Sequence, residues 1–218
     1  MRIYITKFIL LTISILINCD IFSQTKNQVN FYFSPTLSYR KLKESHGLEH
    51  KMGFRYDLGV NYQRQLSQKV FIGTGLGYAH MGYNYPRYIE YSTLDTIDYI
   101  FYRDFIELPL LFNYTLKDYG RNKFQIDLNL INQLFIREET KVKQSDKKEY
   151  EEKLNFNELR KRYMDFYNVA ILFGITYHRD FEKNIFLKIS SFFKYGILSL
   201  DNIHDWSVGL KIGIGHTF

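Results

Sequence analysis

The sequence predicts an all-β fold, an eight-stranded antiparallel up-and-down barrel, on two observations. Apolar and polar residues alternate with period two in eight segments, as side chains do when they point to opposite faces of a strand. The segments comprise residues 29–40, 52–63, 70–79, 103–115, 124–137, 167–178, 185–196 and 205–218. The second observation is the aromatic content of 18%, which exceeds the need of an ordinary soluble core.

The first three segments establish the alternation. The second segment is the strictest, since Phe54, Tyr56 and Leu58 alternate with Arg55 and Asp57. A helix with 3.6 residues per turn would scatter these apolar side chains around its circumference. In the third segment glycines crowd one face, which favours a narrow barrel interior.

The fourth to eighth segments repeat the arrangement of one apolar face and one mainly polar face. In the fifth segment Leu128 and Leu130 oppose Asp127, and Arg137 is expected on the inner face. In the eighth segment small and polar residues alternate with a long apolar face. That face comprises Trp206, Val208, Leu210, Ile212, Ile214, His216 and Phe218.

The beginning of the chain has the composition of a secretory signal peptide. Arg2 and Lys7 precede or flank a ten-residue apolar run at 8–17, and Ser23 offers a small residue before a cleavage point. An uncleaved anchor helix needs about 20 apolar residues. We therefore expect a cleaved leader over residues 1–23 and a barrel domain over residues 24–218. Lipid attachment at Cys19 is the weaker alternative.

The connections between segments alternate in length. Short links follow the second, fourth and sixth segments, and long links follow the first, third and fifth. One long link, 82–99, is rich in Tyr, and another, 138–162, has 15 charged residues among 25. For the charged link, a short helix capped by Ser145 and a solvated loop both remain open. Short periplasmic turns and long external loops are typical of transmembrane barrels, with both termini periplasmic.

The polarity of the two faces decides between a soluble and a membrane barrel. A soluble barrel of the lipocalin type carries apolar residues inside and polar residues outside. Here the apolar faces are continuous and the other faces hold small and polar residues, so we expect the apolar faces in lipid. Aromatic residues are expected as girdles at both interfaces. They comprise Tyr62, Tyr114, Phe124, Tyr177 and Phe218 on the periplasmic side and Tyr39, Phe54, Tyr78, Tyr195 and Trp206 on the external side.

Three short features carry a family resemblance. The leader end Phe22-Ser23-Gln24, the stretch FIELPLL at 105–111 and the terminal Phe218 together resemble the small PorT-like outer-membrane β-barrel proteins of the Bacteroidota. The resemblance implies the fold and an outer-membrane location. The chain end is also similar to the signal read by the barrel assembly machinery, with His216 in place of the usual aromatic or aliphatic residue. That signal comprises Lys211, Gly213, His216 and Phe218.

Charged residues are predicted inside the barrel. They comprise Arg55, Asp57, Arg103, Glu107, Asp127, Lys188, Lys194 and Lys211. Eight strands enclose only enough room for side chains, so these charges are expected to pair across the lumen and fill it. Lys211 is the expected partner of Asp57 or Glu107. A narrow path lined by Lys and Arg is the alternative.

No arrangement of residues predicts catalysis, a metal site or a cofactor. His80 and His216 are expected on the outer face at opposite ends. His204, Asp205 and Ser207 are the nearest approach to a triad, but adjacent strand residues point to opposite faces, so His204 is directed away from Asp205 and Ser207. The excess positive charge is dispersed and not clustered, so the sequence gives no support for a nucleic-acid interface. The predicted function is a structural barrel or a surface interaction and assembly module, with a pore as the alternative and a lipid-modifying enzyme as the weakest reading. Expected partners are outer-membrane lipid, lipopolysaccharide, the barrel assembly machinery and an envelope protein bound through the external loops.

Overall fold

The structure is a computed structural model that describes residues 26–41, 53–90, 95–144, 149–154, 167–198 and 204–218. The leader at 1–23 lies outside the described residues. None of the helical segments in the described part of the chain is long and apolar enough to cross a membrane. The described strands are β1 (Asn27–Lys41), β2 (Gly53–Gln65), β3 (Val70–Glu90), β4 (Asp95–Tyr119), β5 (Asn122–Gln144), β6 (Glu149–Leu154), β7 (Tyr167–Asp180), β8 (Ile185–Leu198) and β9 (His204–Thr217).

Eight of these strands form a closed antiparallel ring, which confirms the predicted eight-stranded barrel. Neighbouring strands follow the order β4-β3-β2-β1-β9-β8-β7-β5, and β5 pairs with β4 to close the ring. The remaining strand, β6, pairs with β5 outside the ring. Closure satisfies the backbone N–H and C=O groups of the ring without water, as a lipid environment requires.

The register of the ring fixes the tilt of its strands. From Arg103 of β4, the row of paired residues passes through every strand of the ring and returns to β4 at Asn113. The shift is ten residues (113 − 103 = 10). With strands about 4.8 Å apart and a rise of about 3.3 Å per residue, ten residues over eight strands give a tilt of about 40°. This tilt lies within the range of outer-membrane barrels.

Three short turns mark one end of the barrel, here called the turn end. They join β2 to β3 through residues 66–69, β4 to β5 through Gly120 and Arg121, and β7 to β8 through residues 181–184. Gly120 has a φ of 75°, a conformation that glycine adopts without strain. The opposite end is called the ribbon end, because β3, β4, β5 and β6 continue there beyond the ring.

The prediction of a Tyr-rich connection at 82–99 is wrong, because most of this segment is strand. β3 and β4 remain paired up to Glu90 and Asp95, with a register shift between Tyr85 and Tyr88. A hairpin that continues past the rim satisfies its backbone groups by pairing and needs no apolar face. The absence of a period-two apolar pattern therefore concealed it.

The charged connection predicted at 138–162 is likewise a strand pair over its described residues. β5 runs on to Gln144 and pairs with β6 from Glu138↔Leu154 to Lys143↔Glu149. Over these described residues the chain is a strand pair and forms neither the short helix nor the solvated loop. The expected cap Ser145 and residues 155–162 lie outside the described residues.

The alternation of faces agrees with the sequence analysis along most of the ring. Phe31, Leu76 and Ile214, which lie on the outer wall, are 58–63% exposed, whereas most of the inner positions are buried. Such an apolar wall is stable only in contact with lipid. One predicted inner residue, Arg137, lies on the outer face instead. β5 carries an extra residue opposite the step from Asp104 to Phe105 of β4, and this bulge reverses the alternation.

Candidate functional site

The main polar site of the barrel is an ion-pair cluster inside the lumen. Arg55 donates from Nε to Asp57 at 2.5 Å and from Nη2 to Oε1 of Glu107. Lys194 Nζ lies 2.7 Å from the same Glu107 oxygen and 3.9 Å from Asp57. Gln133 donates to Glu107 Oε1 at 2.6 Å. The two carboxylates and two cations are all buried, and because there are two of each, their formal charges cancel.

This cluster bridges the lumen from wall to wall. Asp57 and Glu107 belong to β2 and β4, whereas Lys194 belongs to β8, which lies across the ring from β3. Strand alternation points all of these side chains inward, and the ten-residue shift brings them to similar heights. Buried charges of this kind need partners that satisfy their remaining hydrogen bonds, and the cluster supplies them.

Lys211 does not take the partners expected for it. Its Nζ lies over the ring of Tyr32, 4.9 Å from the centroid, and over Phe192, at 5.6 Å. The carboxylates of Asp57 and Glu107 are held by Arg55 and Lys194 instead. The reason is height: the tilt places Lys211 about three residues nearer the turn end than Glu107.

The other predicted lumen residues form two further layers. Towards the turn end, Lys188 donates to Gln63 at 2.5 Å and to Gln28 at 3.2 Å, and Asp127 accepts hydrogen bonds from Asn113 and Thr176. Towards the ribbon end, Arg103 donates to Glu138 at 2.6 Å. Glu138 was expected in a loop, but it is a buried member of β5.

Two small cavities lie among the described side chains of the lumen. A cavity of about 20 Å³ lies beside Arg55 and Lys194, and another of about 30 Å³ lies beside Asp127 and Lys188. Each is large enough for only one or two water molecules. A larger polar vestibule of about 390 Å³ opens at the turn end, beside Lys123 and Asp180.

A second polar cluster lies on the outer wall, where the sequence analysis placed only a lone histidine. His80 Nδ1 is 2.6 Å from Asp104 Oδ1, and the two residues are paired on β3 and β4. The ring of His80 stacks on Tyr102 at 5.6 Å and contacts Tyr56 at 5.1 Å. The signal was present in the sequence, since His80 and Asp104 both occupy outer positions, but their pairing depends on the register.

The predicted assembly signal lies on β9 and at the residue after it. Lys211 and Gly213 face inward, whereas His216 and Phe218 face outward and their rings stack at 6.4 Å. Phe218 exchanges backbone hydrogen bonds with Asn27 of β1, at 2.9 Å each. The end of the chain is therefore part of the closed wall.

The histidines considered for catalysis are separated in the structure. His80 and His216 lie on the outer face at opposite ends, as expected. His178 is buried in the lumen, where it stacks on Phe186 at 4.8 Å and contacts Asp180 at 2.7 Å. His46, His50 and the side chains of His204 and Asp205 lie outside the described part. Within that part, no group of three or more His, Cys, Asp or Glu residues could hold a metal ion.

Comparisons with known proteins find similarity in structure alone. Neither the protein-family models nor the curated protein sequences match this chain. The chain is similar to Neisserial surface protein A at 10% identity and a TM-score of 0.43, covering 87% of this chain and 97% of that one. The chain is also similar to Ail, the attachment invasion locus protein of Yersinia pestis, at 12% identity and a TM-score of 0.40, covering 89% of this chain and 99% of that one. For the outer membrane protein OprG from Pseudomonas aeruginosa the identity is 10% and the TM-score 0.43, covering 89% of this chain and 95% of that one. Values this low carry no information about function.

Proposed function

We propose that this protein is an outer-membrane barrel with a lumen closed by side chains, and that it serves as a surface interaction or assembly module. The observation that carries the closed lumen is the ion-pair cluster of Arg55, Asp57, Glu107 and Lys194, which bridges opposite walls. The exposed apolar wall supports the membrane location, and closed barrels of this polarity are a feature of outer membranes. The turn end is proposed to face the periplasm, together with both termini.

The surface role is supported by the ribbon end. β4 begins eight residues before Arg103 (103 − 95 = 8), so the sheet of β3 to β6 extends about 20 Å past the rim at the observed tilt. Among the described strands, β6 pairs with β5 alone. A strand with an unpaired edge can accept a strand from another protein. The partner class is therefore an envelope protein that adds a strand.

The lumen is tested by conductance of the purified protein in planar bilayers. A closed barrel gives no steady ohmic current. Steady pores of uniform size would overturn the closed-lumen proposal and favour the alternative, a narrow pore or transport-associated component. The polar vestibule at the turn end is the observation that favours this alternative.

The surface module is tested by affinity capture from detergent-solubilised envelopes. In one variant a Gly-Ser linker of equal length replaces residues 145–154, which removes β6 and leaves the pairing of β5 with β4. The control carries a linker in place of residues 199–203. Loss of a captured envelope protein from the first variant alone supports the proposal, and identical captured proteins in both variants exclude β6 as the docking edge.

The finer assignments are also proposals. The FIELPLL stretch and the aromatic end support membership of the PorT-like barrels. The terminal pattern of Lys211, Gly213, His216 and Phe218 supports recognition by the barrel assembly machinery. Anionic lipopolysaccharide is the proposed lipid partner, because the chain carries a net charge of +6. The proposal assigns no catalytic activity and no cofactor.

A further inference from the structure

The outer-wall cluster around His80 has a charge distribution that a lipid-facing wall does not need. Its carboxylates lie beneath the surface, with side-chain exposures of 9% for Asp104 and 14% for Glu139. Its cations lie at the surface, since the side chains of Arg137 and Lys141 are 50% and 43% exposed. Among the described residues of this cluster, the two cations therefore lie nearer to lipid than the two carboxylates.

The carboxylates hold these cations in place. Arg137 Nη2 donates to Glu139 at 2.7 Å, and Arg137 Nη1 lies 4.0 Å from Asp104. Lys141 Nζ lies 3.3 Å from Glu139 and 5.5 Å from the ring centroid of Tyr102. A guanidinium has five N–H donors in a planar fork, so contacts with two carboxylates leave donors for another anion. The cations are thus oriented before any ligand arrives.

The cluster lies at the level of a membrane interface. From β4 through β3, β2 and β1 to β9, a row of paired residues moves towards the turn end by about 1.25 residues at each strand, because the ten-residue shift is spread over eight strands. When this descent is taken into account, the heights of Asp104 and Trp206 along the barrel axis differ by about one residue, or about 3 Å. Trp206 and Tyr39 contact each other at 5.2 Å as part of the aromatic girdle predicted for the external side. Arg137 and Lys141 lie above this level, where lipid headgroups begin.

A cavity of about 200 Å³ opens within the cluster. Its lining comprises Tyr56, Tyr78, His80, Tyr102, Asp104, Arg137 and Glu139. Tyrosine and histidine side chains offer hydrogen bonds to a polar headgroup and apolar ring faces to the adjoining acyl chains. A phosphate suits the exposed cations because Arg and phosphate form charge-assisted, often bidentate, hydrogen bonds.

We propose that this outer-wall cluster is a binding site for a phosphate group of lipopolysaccharide, with Arg137 and Lys141 as its direct ligands. The inference rests on the proposed outer-membrane location and assigns the lipid contact to one place on the wall. His80 and Asp104 form the floor of the site. The acyl chains of the glycolipid lie below it, along the apolar wall of β3 and β4.

The test compares variants of the full mature protein in phosphatidylcholine nanodiscs. Arg137→Gln with Lys141→Gln removes both charges, and Arg137→Lys with Lys141→Arg preserves them. The matched control, Arg121→Gln with Lys183→Gln, removes two exposed cations at the turn end. The probe is bisphosphorylated lipid A, with dephosphorylated lipid A, phosphatidylglycerol and inorganic phosphate as comparison ligands. Folding of every variant is verified by the gel migration shift between heated and unheated samples.

We expect the charge-removing variant to bind bisphosphorylated lipid A about tenfold more weakly, a loss of about 1.4 kcal/mol. The charge-preserving variant and the control should retain most of the affinity, and dephosphorylated lipid A should bind all variants equally. Equal binding of bisphosphorylated lipid A by all folded variants would overturn the site, as would equal competition by phosphatidylglycerol or by inorganic phosphate. Failure of the proposed location is separate, since it appears as absence of the protein from the outer-membrane fraction of cells.

Discussion

Glu107 accepts three hydrogen bonds on one carboxylate oxygen, from Arg55, Gln133 and Lys194. Its removal leaves two buried cations with only Asp57 between them. Loss of one partner from a buried ion pair is more costly than loss of the whole pair, because an uncompensated charge remains. Replacement of this single side chain is therefore expected to cost more stability than replacement of any one residue of the apolar wall.

The first prediction concerns Glu107→Gln. We expect the free energy of unfolding to fall by about 3 kcal/mol, the lower part of the range for breaking a buried pair, since Asp57 compensates in part. Urea unfolding in micelles, followed by tryptophan fluorescence of Trp206, measures it. Asp118→Asn, at the exposed end of β4, is the control. A variant as stable as this control would mean that the cluster does not stabilise the barrel.

The second prediction concerns the close approach of Gly77 to Tyr32. A Cβ atom at Gly77 would lie 2.5 Å from the Tyr32 hydroxyl, while its next contacts are ordinary at 3.4 Å or more. Gly77→Ala is expected to lower the free energy of unfolding by about 1–3 kcal/mol through overpacking. Adding Tyr32→Phe removes the hydroxyl and should restore most of this loss in the same urea titration. If the double variant is no more stable than Gly77→Ala, the clash is with the backbone instead.

At the scale of elements, β5 combines two functions. Its first half closes the barrel between β4 and β7, and its second half joins the projecting sheet between β4 and β6. The bulge between the halves reverses the alternation, so that Glu138 faces the lumen while Arg137 faces outward. The same irregularity thus completes the lumen pair with Arg103 and supplies a cation to the outer-wall cluster.

The third prediction separates these two halves. Replacing residues 149–154 with a Gly-Ser sequence removes the partner of β5 beyond the rim. Amide hydrogen exchange in nanodiscs should become faster at some residues of 138–143, because those N–H groups lose their acceptors, and should stay unchanged at 125–133. Faster exchange along the whole of β5 would show that β6 supports the barrel itself.

The fourth prediction concerns the end of β9. His216 is exposed on the outer wall beside Phe218, at a position typical of aromatic girdle residues. His216→Tyr should therefore leave the folded fraction in the outer membrane unchanged or raise it, as judged by the heat-dependent migration shift. Phe218→Ala is the matched comparison and should lower that fraction. A clear loss of folded barrel in His216→Tyr would contradict this account of the chain end.

At the scale of the whole molecule, the barrel combines an apolar wall, a filled lumen and a sheet that projects from one end. The twelve residue steps from Trp206 to Phe218, at about 3.3 Å each and a tilt of about 40°, span about 30 Å. This height matches the hydrocarbon core of a bilayer. The two ends then lie in different compartments, with the turn end on one side and the projecting sheet on the other.

The fifth prediction tests this orientation. Cleavage after Ser23 would remove the only cysteine, Cys19, so single introduced cysteines report without background. In intact cells a membrane-impermeant maleimide should label Ser145→Cys, between β5 and β6, and should leave Gln68→Cys in the β2–β3 turn unlabelled. Both should react after the envelope is opened. The reverse pattern would place the turns outside.

The sequence was sufficient for the barrel because its evidence is local. Alternation along each strand identifies the lipid-facing residues, and the number of alternating segments predicts the eight strands of the ring. The hairpin at 82–99 and the β5–β6 pair were missed, since outside the membrane neither face of a strand has to be apolar. Arg137 was assigned to the wrong face because a bulge leaves no mark in an alternation count.

Apart from Arg137, beyond the bulge in β5, the sequence by itself determined which side chains of the ring point inward and which point outward, because that choice follows from the period of a strand. Only the tertiary structure decided which of them meet. Glu107 pairs with Lys194 and not with Lys211, and His80 meets Asp104, because a shift of ten residues around the ring sets the height of every strand. That shift is a property of the closed ring and is carried by no single segment.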